Sequence, residues 1–105
     1  CQEAKKEMRA KIRKLNVRNR TDLSLEQIAT WLNPVLAGWI NYYGKYSRAA
    51  LYPVLKSFNL ALVSWARHKY KKLHRHKTKA FIFIDAVKQK QPNLFAHWRY
   101  GMFAT

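Results

Sequence analysis

The sequence predicts an all-α fold, a small bundle of four to five helices with one long central helix. Apolar residues recur three or four positions apart through most of the chain, which is the spacing of one helix face. Glycine and proline, which interrupt regular structure, occur only three times each. The 105 residues are 49% apolar, which suffices for a single domain with its own core.

The first two elements follow from apolar spacing and capping residues. A first helix is predicted over Ala4–Asn16, because its apolar residues fall on one side and a basic stripe falls on another. The polar and basic segment Asn16–Leu23 breaks that pattern and is predicted to be a loop. Ser24 and Gln27 have the spacing of a capping box, so a second helix is predicted to begin there.

Asn33 and Pro34 are predicted to end the second helix. Proline has no N–H to donate inside a helix, and it fits best in the first turn of a new one. A short helix over Pro34–Tyr43 is therefore expected to follow at an angle and to end near Gly44.

The longest predicted helix begins at Ser47 or Pro53 and runs to about Arg75. Its apolar residues are spaced alternately four and three apart, which is typical of a helix that packs against other helices. These residues are Leu51, Leu55, Phe58, Leu62 and Trp65.

Thr78 is predicted to cap a last helix over Lys79–Lys90. The apolar run Phe81–Ile84 also fits a buried strand. A single strand would have no partner to satisfy its backbone groups, so the helix is the preferred interpretation.

The predicted core combines residues from the middle of the chain. It consists of Leu32, Pro34, Trp39, Tyr42, Leu55, Phe58, Leu62 and Trp65. Gly38 lies within this region and costs about 1 kcal/mol relative to alanine in a helix. Its presence predicts close packing, either of Trp39 or of a neighbouring helix.

The net charge of +16 indicates a polyanionic partner, because like charges on a compact chain repel each other. The charge is concentrated in two blocks. Residues 1–20 hold eight basic and two acidic side chains, and residues 67–79 hold seven basic side chains and no acidic one. The predicted contacts with the partner are Arg67, Lys69, Lys71, Lys72, Arg75, Lys77 and Lys79 in the second block, and Arg9, Arg13, Arg18 and Arg20 in the first.

The sequence predicts neither an active site nor a metal or cofactor site. Its acids, Glu3, Glu7, Asp22, Glu26 and Asp85, form no cluster suited to a divalent cation. Its histidines, His68, His74, His76 and His97, have no accompanying pair of cysteines. Cys1 is the only cysteine, so no internal disulfide calls for an oxidising compartment. No apolar run approaches the ~18 residues of a membrane span.

Three segments resemble one known family. They are LNPVLAGWINYYGKY at residues 32–46, SRAALYPVLKSFN directly after it, and QPNLFAHWRYG near the end. Together they resemble the maturase-specific domain, also called domain X or the thumb, of bacterial group II intron-encoded proteins. The resemblance covers residues 8–101.

The resemblance implies an RNA-binding module that helps the encoding intron to fold and splice. It also implies a thumb that grips the template–primer duplex beside a reverse-transcriptase domain in cis, in the bacterial cytoplasm. The Tyr-Ala-Asp-Asp motif of that polymerase is missing from the sequence, and the chain begins with Cys rather than Met. We therefore expect residues 1–105 to be one domain from the C-terminal part of a longer RNA-directed DNA polymerase. The choice of RNA-contacting residues rests on charge clustering alone.

Two other functions compete with this interpretation. A stand-alone basic helical DNA-binding domain would need a helix with polar residues that reach base edges, and Asn59 lies between apolar neighbours. A cationic membrane-surface protein would need one helix that is apolar on one face and basic along its whole length. The long helix is instead apolar early and basic late.

Overall fold

A computed structural model describes residues 2–101. In that range it has five α-helices and no strand, which confirms the all-α prediction. The helices are α1 (Gln2–Leu15), α2 (Leu25–Tyr46), α3 (Arg48–Lys69), α4 (Lys77–Lys90) and α5 (Ala96–Arg99), with 3-10 turns at Val17–Asn19 and Lys71–Leu73. α3 is the central helix and packs against α1, α2, α4 and both 3-10 turns.

The core lies around α3. The residues of its predicted seam, Leu51, Leu55, Phe58, Leu62 and Trp65, are all buried. α1 covers one side of the seam with Ala4 and Met8, which are also buried. Trp39 is half-buried and closes a cleft between α1 and α2, where it meets Ile12 and Phe58.

The capping box at the start of α2 is confirmed. The Ser24 hydroxyl accepts a hydrogen bond of 3.1 Å from the Gln27 backbone N–H. The Gln27 side-chain oxygen accepts one of 2.9 Å from the Ser24 backbone N–H. Two N–H groups that the helix itself cannot satisfy are thereby paired.

α2 continues through Pro34, so the predicted break at that position is wrong. Pro34 lies on the exposed side of the helix, where water can satisfy the carbonyl group that lacks its donor. Because the helix is continuous, the inward face set by Leu32 and Leu36 persists. Pro34 and Tyr42 point away from that face, so both lie at the surface instead of in the predicted core. Gly38 is also exposed, and nothing among the described residues packs against it.

Only the first three residues of the basic tract 67–79 belong to α3. The helix ends at Lys69 rather than near Arg75. Tyr70 has an extended backbone, and its ring packs edge-on against Trp65 at 5.9 Å and Phe83 at 5.3 Å between ring centroids. These contacts turn the chain back toward the bundle. α4 then begins at Lys77 with His76 as its N-cap, so Thr78 lies inside the helix and does not cap it.

α4 ends at Lys90, as predicted, and includes Phe81–Ile84 in helical form. Ala80 and Ile84 are its buried apolar residues and face α3. No helix among residues 2–101 is both long and apolar enough to cross a membrane.

Two asparagines attach the C-terminal segment to the bundle. Asn33 on α2 donates to the Leu94 carbonyl at 3.0 Å and accepts from the Ala96 N–H at 2.9 Å. Asn59, which is only 3% exposed, lies in the middle of α3. Its side-chain oxygen is 2.7 Å from His97 Nε2 and 2.9 Å from Trp98 Nε1. Trp98 can only donate, so this oxygen is the acceptor and His97 carries its proton on Nε2.

We expect Asn59→Ala to lower the free energy of unfolding by about 2–5 kcal/mol, because it leaves two buried donors without an acceptor. Urea unfolding measures this loss. Leu60→Ala is the matched control, since Leu60 is the next residue on α3 and is exposed. Equal losses for the two variants would contradict the role assigned to the Asn59 oxygen.

Burial, together with the smaller effect of the Lys88 charge, lowers the pKa of His97 from 6.5 to about 3. Between these values the unfolded chain takes up a proton that the folded chain does not. The free energy of unfolding should therefore fall with decreasing pH, by about 1.4 kcal/mol per pH unit from this group. In urea unfolding between pH 6.5 and 5, His97→Gln should flatten the slope. A slope as steep in His97→Gln as in the unmodified domain would contradict this assignment.

Candidate nucleic-acid interface

The last turns of α3 hold the segment between α1 and α2 by its backbone carbonyls. His68 Nδ1 lies 2.9 Å from the Arg18 oxygen, and Trp65 Nε1 donates to the Arg20 oxygen at 2.9 Å. Lys69 Nζ donates to the carbonyls of Thr21 at 3.0 Å and Leu23 at 2.9 Å. These bonds connect positions that are 45–50 residues apart in sequence. They place the end of the first basic block against the second.

A cleft of about 120 Å³ lies where the two blocks meet, and it is lined by Arg18, Ser64, Arg67, His68 and His74. The Arg67 guanidinium donates through Nε and Nη2 to the His74 carbonyl, at 3.3 and 3.2 Å. This bond fixes the guanidinium at the cleft wall while its Nη1 donors remain for another acceptor. Arginine, imidazole and hydroxyl donors in one concavity suit an anionic oxygen such as that of a phosphate.

A second concavity shares Arg18 with this cleft, and a third shares Arg13 with the second. A groove of about 310 Å³ includes Arg18 and Arg13 in its wall, beside Ala61 of α3. A groove of about 440 Å³ along α1 includes Arg13 again, with Arg9 and Lys5. We call the basic residues and histidines of these three concavities the cationic track, which consists of Lys5, Lys6, Arg9, Arg13, Arg18, Arg67, His68 and His74. Glu3 is the only acid in the walls of the three concavities.

The structure separates the predicted partner-binding residues into three groups. Arg9, Arg13, Arg18 and Arg67 belong to the cationic track. The second group is exposed on the second 3-10 turn and around the start of α4, and it consists of Lys71, Lys72, Arg75, Lys77 and Lys79. The remaining two, Arg20 and Lys69, bind other parts of the chain.

Arg20 and Lys69 have internal partners. Arg20 forms a bidentate ion pair with Asp22 at 2.9 and 2.8 Å, and its guanidinium lies 5.2 Å from the centre of the Trp31 ring. The hydrogen bond from Arg20 holds the pKa of Asp22 below its usual value. The Lys69 ammonium group donates hydrogen bonds to two carbonyls and lies 5.5 Å from the Trp65 ring centre. Their basic side chains help to fix the loop.

Four residues of the cationic track were missing from the predicted set. For Lys5 the available signal was its spacing from Arg9 and Arg13, since residues four apart share a helix face. For His68 and His74 it was their position within the second basic block. Lys6 carries no comparable signal. In residues 2–101, no three His, Cys, Asp or Glu side chains come together as a group that could hold a metal ion.

A family model described as group II intron, maturase-specific domain matches residues 5–81. The chain belongs to this family. The matched range of this maturase-specific domain runs from α1 to the beginning of α4 and contains every residue of the cationic track. The segment Phe95–Trp98, part of the resemblance predicted from the sequence, lies beyond the matched range. No curated protein and no solved structure matches the chain.

We expect Lys69→Met to destabilise the domain by about 1–3 kcal/mol, since two carbonyls lose a charged donor. Lys79→Met removes the same charge from an exposed site and should change stability by less than about 0.5 kcal/mol. Urea unfolding of both variants tests the distinction. If Lys69→Met were as mild as Lys79→Met, Lys69 would not hold the loop.

Proposed function

We propose that this domain binds structured group II intron RNA along the cationic track and thereby promotes folding and splicing of the intron. The observation that carries the proposal is the continuity of the track. Arg13 and Arg18 each belong to two adjoining concavities, so the two basic blocks form one surface. Like charges placed close together repel each other, and a bound polyanion relieves this repulsion.

The charge distribution supports a nucleic-acid partner for this surface. Residues 27–84 contain no acidic side chain. Lysine and arginine bind phosphates, which gives affinity and position but reads no base sequence. Folded RNA is recognised largely through its shape, its phosphates and its 2′-hydroxyls. A helical surface that carries many cations suits such a ligand, and membership in the maturase-specific family supports group II intron RNA as that ligand.

The exposed cations of residues 71–79 form a second basic surface, to which we assign a role in the parent protein. We infer that residues 1–105 form one domain, that it serves as the thumb of an RNA-directed DNA polymerase, and that this second surface contacts the template–primer duplex. The maturase-specific domain is non-catalytic, so polymerisation would belong to a reverse-transcriptase domain in cis. Binding through side-chain cations needs no cofactor.

The DNA-binding alternative loses its best candidate residue. Asn59 would have to reach a base edge in the major groove, but it is 3% exposed and its oxygen already accepts two hydrogen bonds. Nothing in the described residues favours duplex DNA over RNA as the ligand of the cationic track.

Arg13→Gln combined with Arg18→Gln should weaken binding to the intron RNA and reduce its salt dependence. Each lost phosphate contact lowers the slope of log K against log salt by about 0.7–0.9. Filter binding over a salt series measures both effects. The matched control is Lys56→Gln with Lys90→Gln, which removes equal charge from exposed sites outside both basic blocks. A similar loss in both double variants would mean that net charge acts without a defined surface.

The same assay tests the maturase assignment itself. Intron RNA should bind more tightly than unrelated structured RNA or duplex DNA of equal length at the same salt concentration. Equal affinity for the intron and for unrelated RNA would contradict the assignment, although it would leave general RNA binding in place.

A further inference from the structure

The C-terminal end of α2 carries two exposed tyrosines that the core does not use. Tyr42 is 59% exposed and Tyr46 is 74% exposed. They are four residues apart and therefore share a helix face. Their ring centroids lie 5.3 Å apart with the ring planes inclined at 51°. The two aromatic rings form one continuous patch at the surface.

Tyr43 supports this patch from the core side. Its ring meets Tyr42 edge-on, with 4.9 Å between centroids and 88° between planes. Tyr43 itself packs against the hydrophobic core. Tyr42 is thus positioned by a residue that the fold holds in place, so little ordering is needed when a ligand binds.

The charge beside the tyrosines is positive. Lys45 is three residues after Tyr42 and therefore neighbours it on the helix surface. Arg48 begins α3 two residues after Tyr46, and its guanidinium donates through Nη2 to the Tyr52 hydroxyl and lies 5.5 Å from the Tyr52 ring centre. Both cations are exposed, and the nearest acids in sequence are Glu26 and Asp85. Aromatic rings beside cations, with no acid in the surrounding chain, are complementary to a ligand that carries both flat rings and negative charge.

The patch is separate from the cleft in which the two basic blocks meet. Arg48 and Arg67 lie 19 residues apart on α3, which corresponds to about 28 Å along the helix axis. The patch lies beside the beginning of this helix, whereas the cleft between the basic blocks lies near its end.

We propose that Tyr42 and Tyr46 form a stacking site for unpaired nucleotides, with Lys45 and the donors of Arg48 that Tyr52 does not use binding the neighbouring phosphates. This goes beyond the function proposed for the cationic track, which binds the backbone of folded RNA and needs no exposed bases. Every base has a flat face, so the site would accept single-stranded segments with little sequence preference.

The test uses two fluorescent probes of equal charge, an unstructured octauridylate and an abasic octamer with the same sugar–phosphate backbone. Tyr42→Ala combined with Tyr46→Ala should weaken binding of octauridylate by at least about tenfold. Binding of the abasic octamer should change by less than about twofold, because no stacking is lost. Tyr42→Phe with Tyr46→Phe keeps both rings and should bind octauridylate like the unmodified domain.

The track variant separates this proposal from the one above. Arg13→Gln with Arg18→Gln should weaken intron RNA but leave the tyrosine-dependent difference between the two probes intact. If that variant bound intron RNA normally, the proposed function would fail while the stacking site stood. The stacking site is overturned if the double alanine variant affects both probes equally or neither. It is also overturned if Tyr42→Leu with Tyr46→Leu binds octauridylate normally, since binding would then not depend on stacking against aromatic rings.

Discussion

Three side chains near the end of α3, Trp65, His68 and Lys69, bind four backbone carbonyls in the segment between α1 and α2. The groups that they join belong to two regions of high positive charge, which would separate if only Coulomb forces acted. Hydrogen bonds to neutral carbonyl groups hold the regions together without cancelling their charge. The cationic cleft therefore exists because the connection uses backbone oxygens instead of carboxylates.

The same use of long-range polar contacts secures the other end of the chain. Asn33 and Asn59 bind groups that lie 38–63 residues later in sequence. Both asparagines lie within helices whose apolar faces form the core. Apolar packing has no preferred direction, so the hydrogen bonds of each asparagine add a contact with defined geometry. The C-terminal segment is thereby fixed in one position on the bundle, where Phe95, Ala96, His97 and Trp98 become buried.

Local spacing was sufficient to predict the elements whose determinants lie within a few residues. The seam of α3 and the Ser24 capping box are of this kind. Pro34 was wrongly predicted to end α2. Proline removes one backbone hydrogen bond, and on an exposed helix face water can satisfy the carbonyl group that loses its donor. The end of α3 could not be predicted, since neither glycine nor proline marks it and tertiary contacts of Lys69 and Tyr70 decide it. For the same reason, charge clustering located the basic blocks but could not show that Lys69 and Arg20 bind the chain itself.

The central claim is that the two basic blocks act as one RNA-binding surface. Photo-cross-linking with intron RNA that carries a single photoreactive nucleotide, followed by mass spectrometry, tests it most directly. At some nucleotide positions, the photoreactive nucleotide should yield two cross-linked products, one with a peptide from residues 5–18 and one with a peptide from residues 64–74. If every position that cross-links reached only one of these segments, the two blocks would bind separate parts of the RNA and the account would be contradicted.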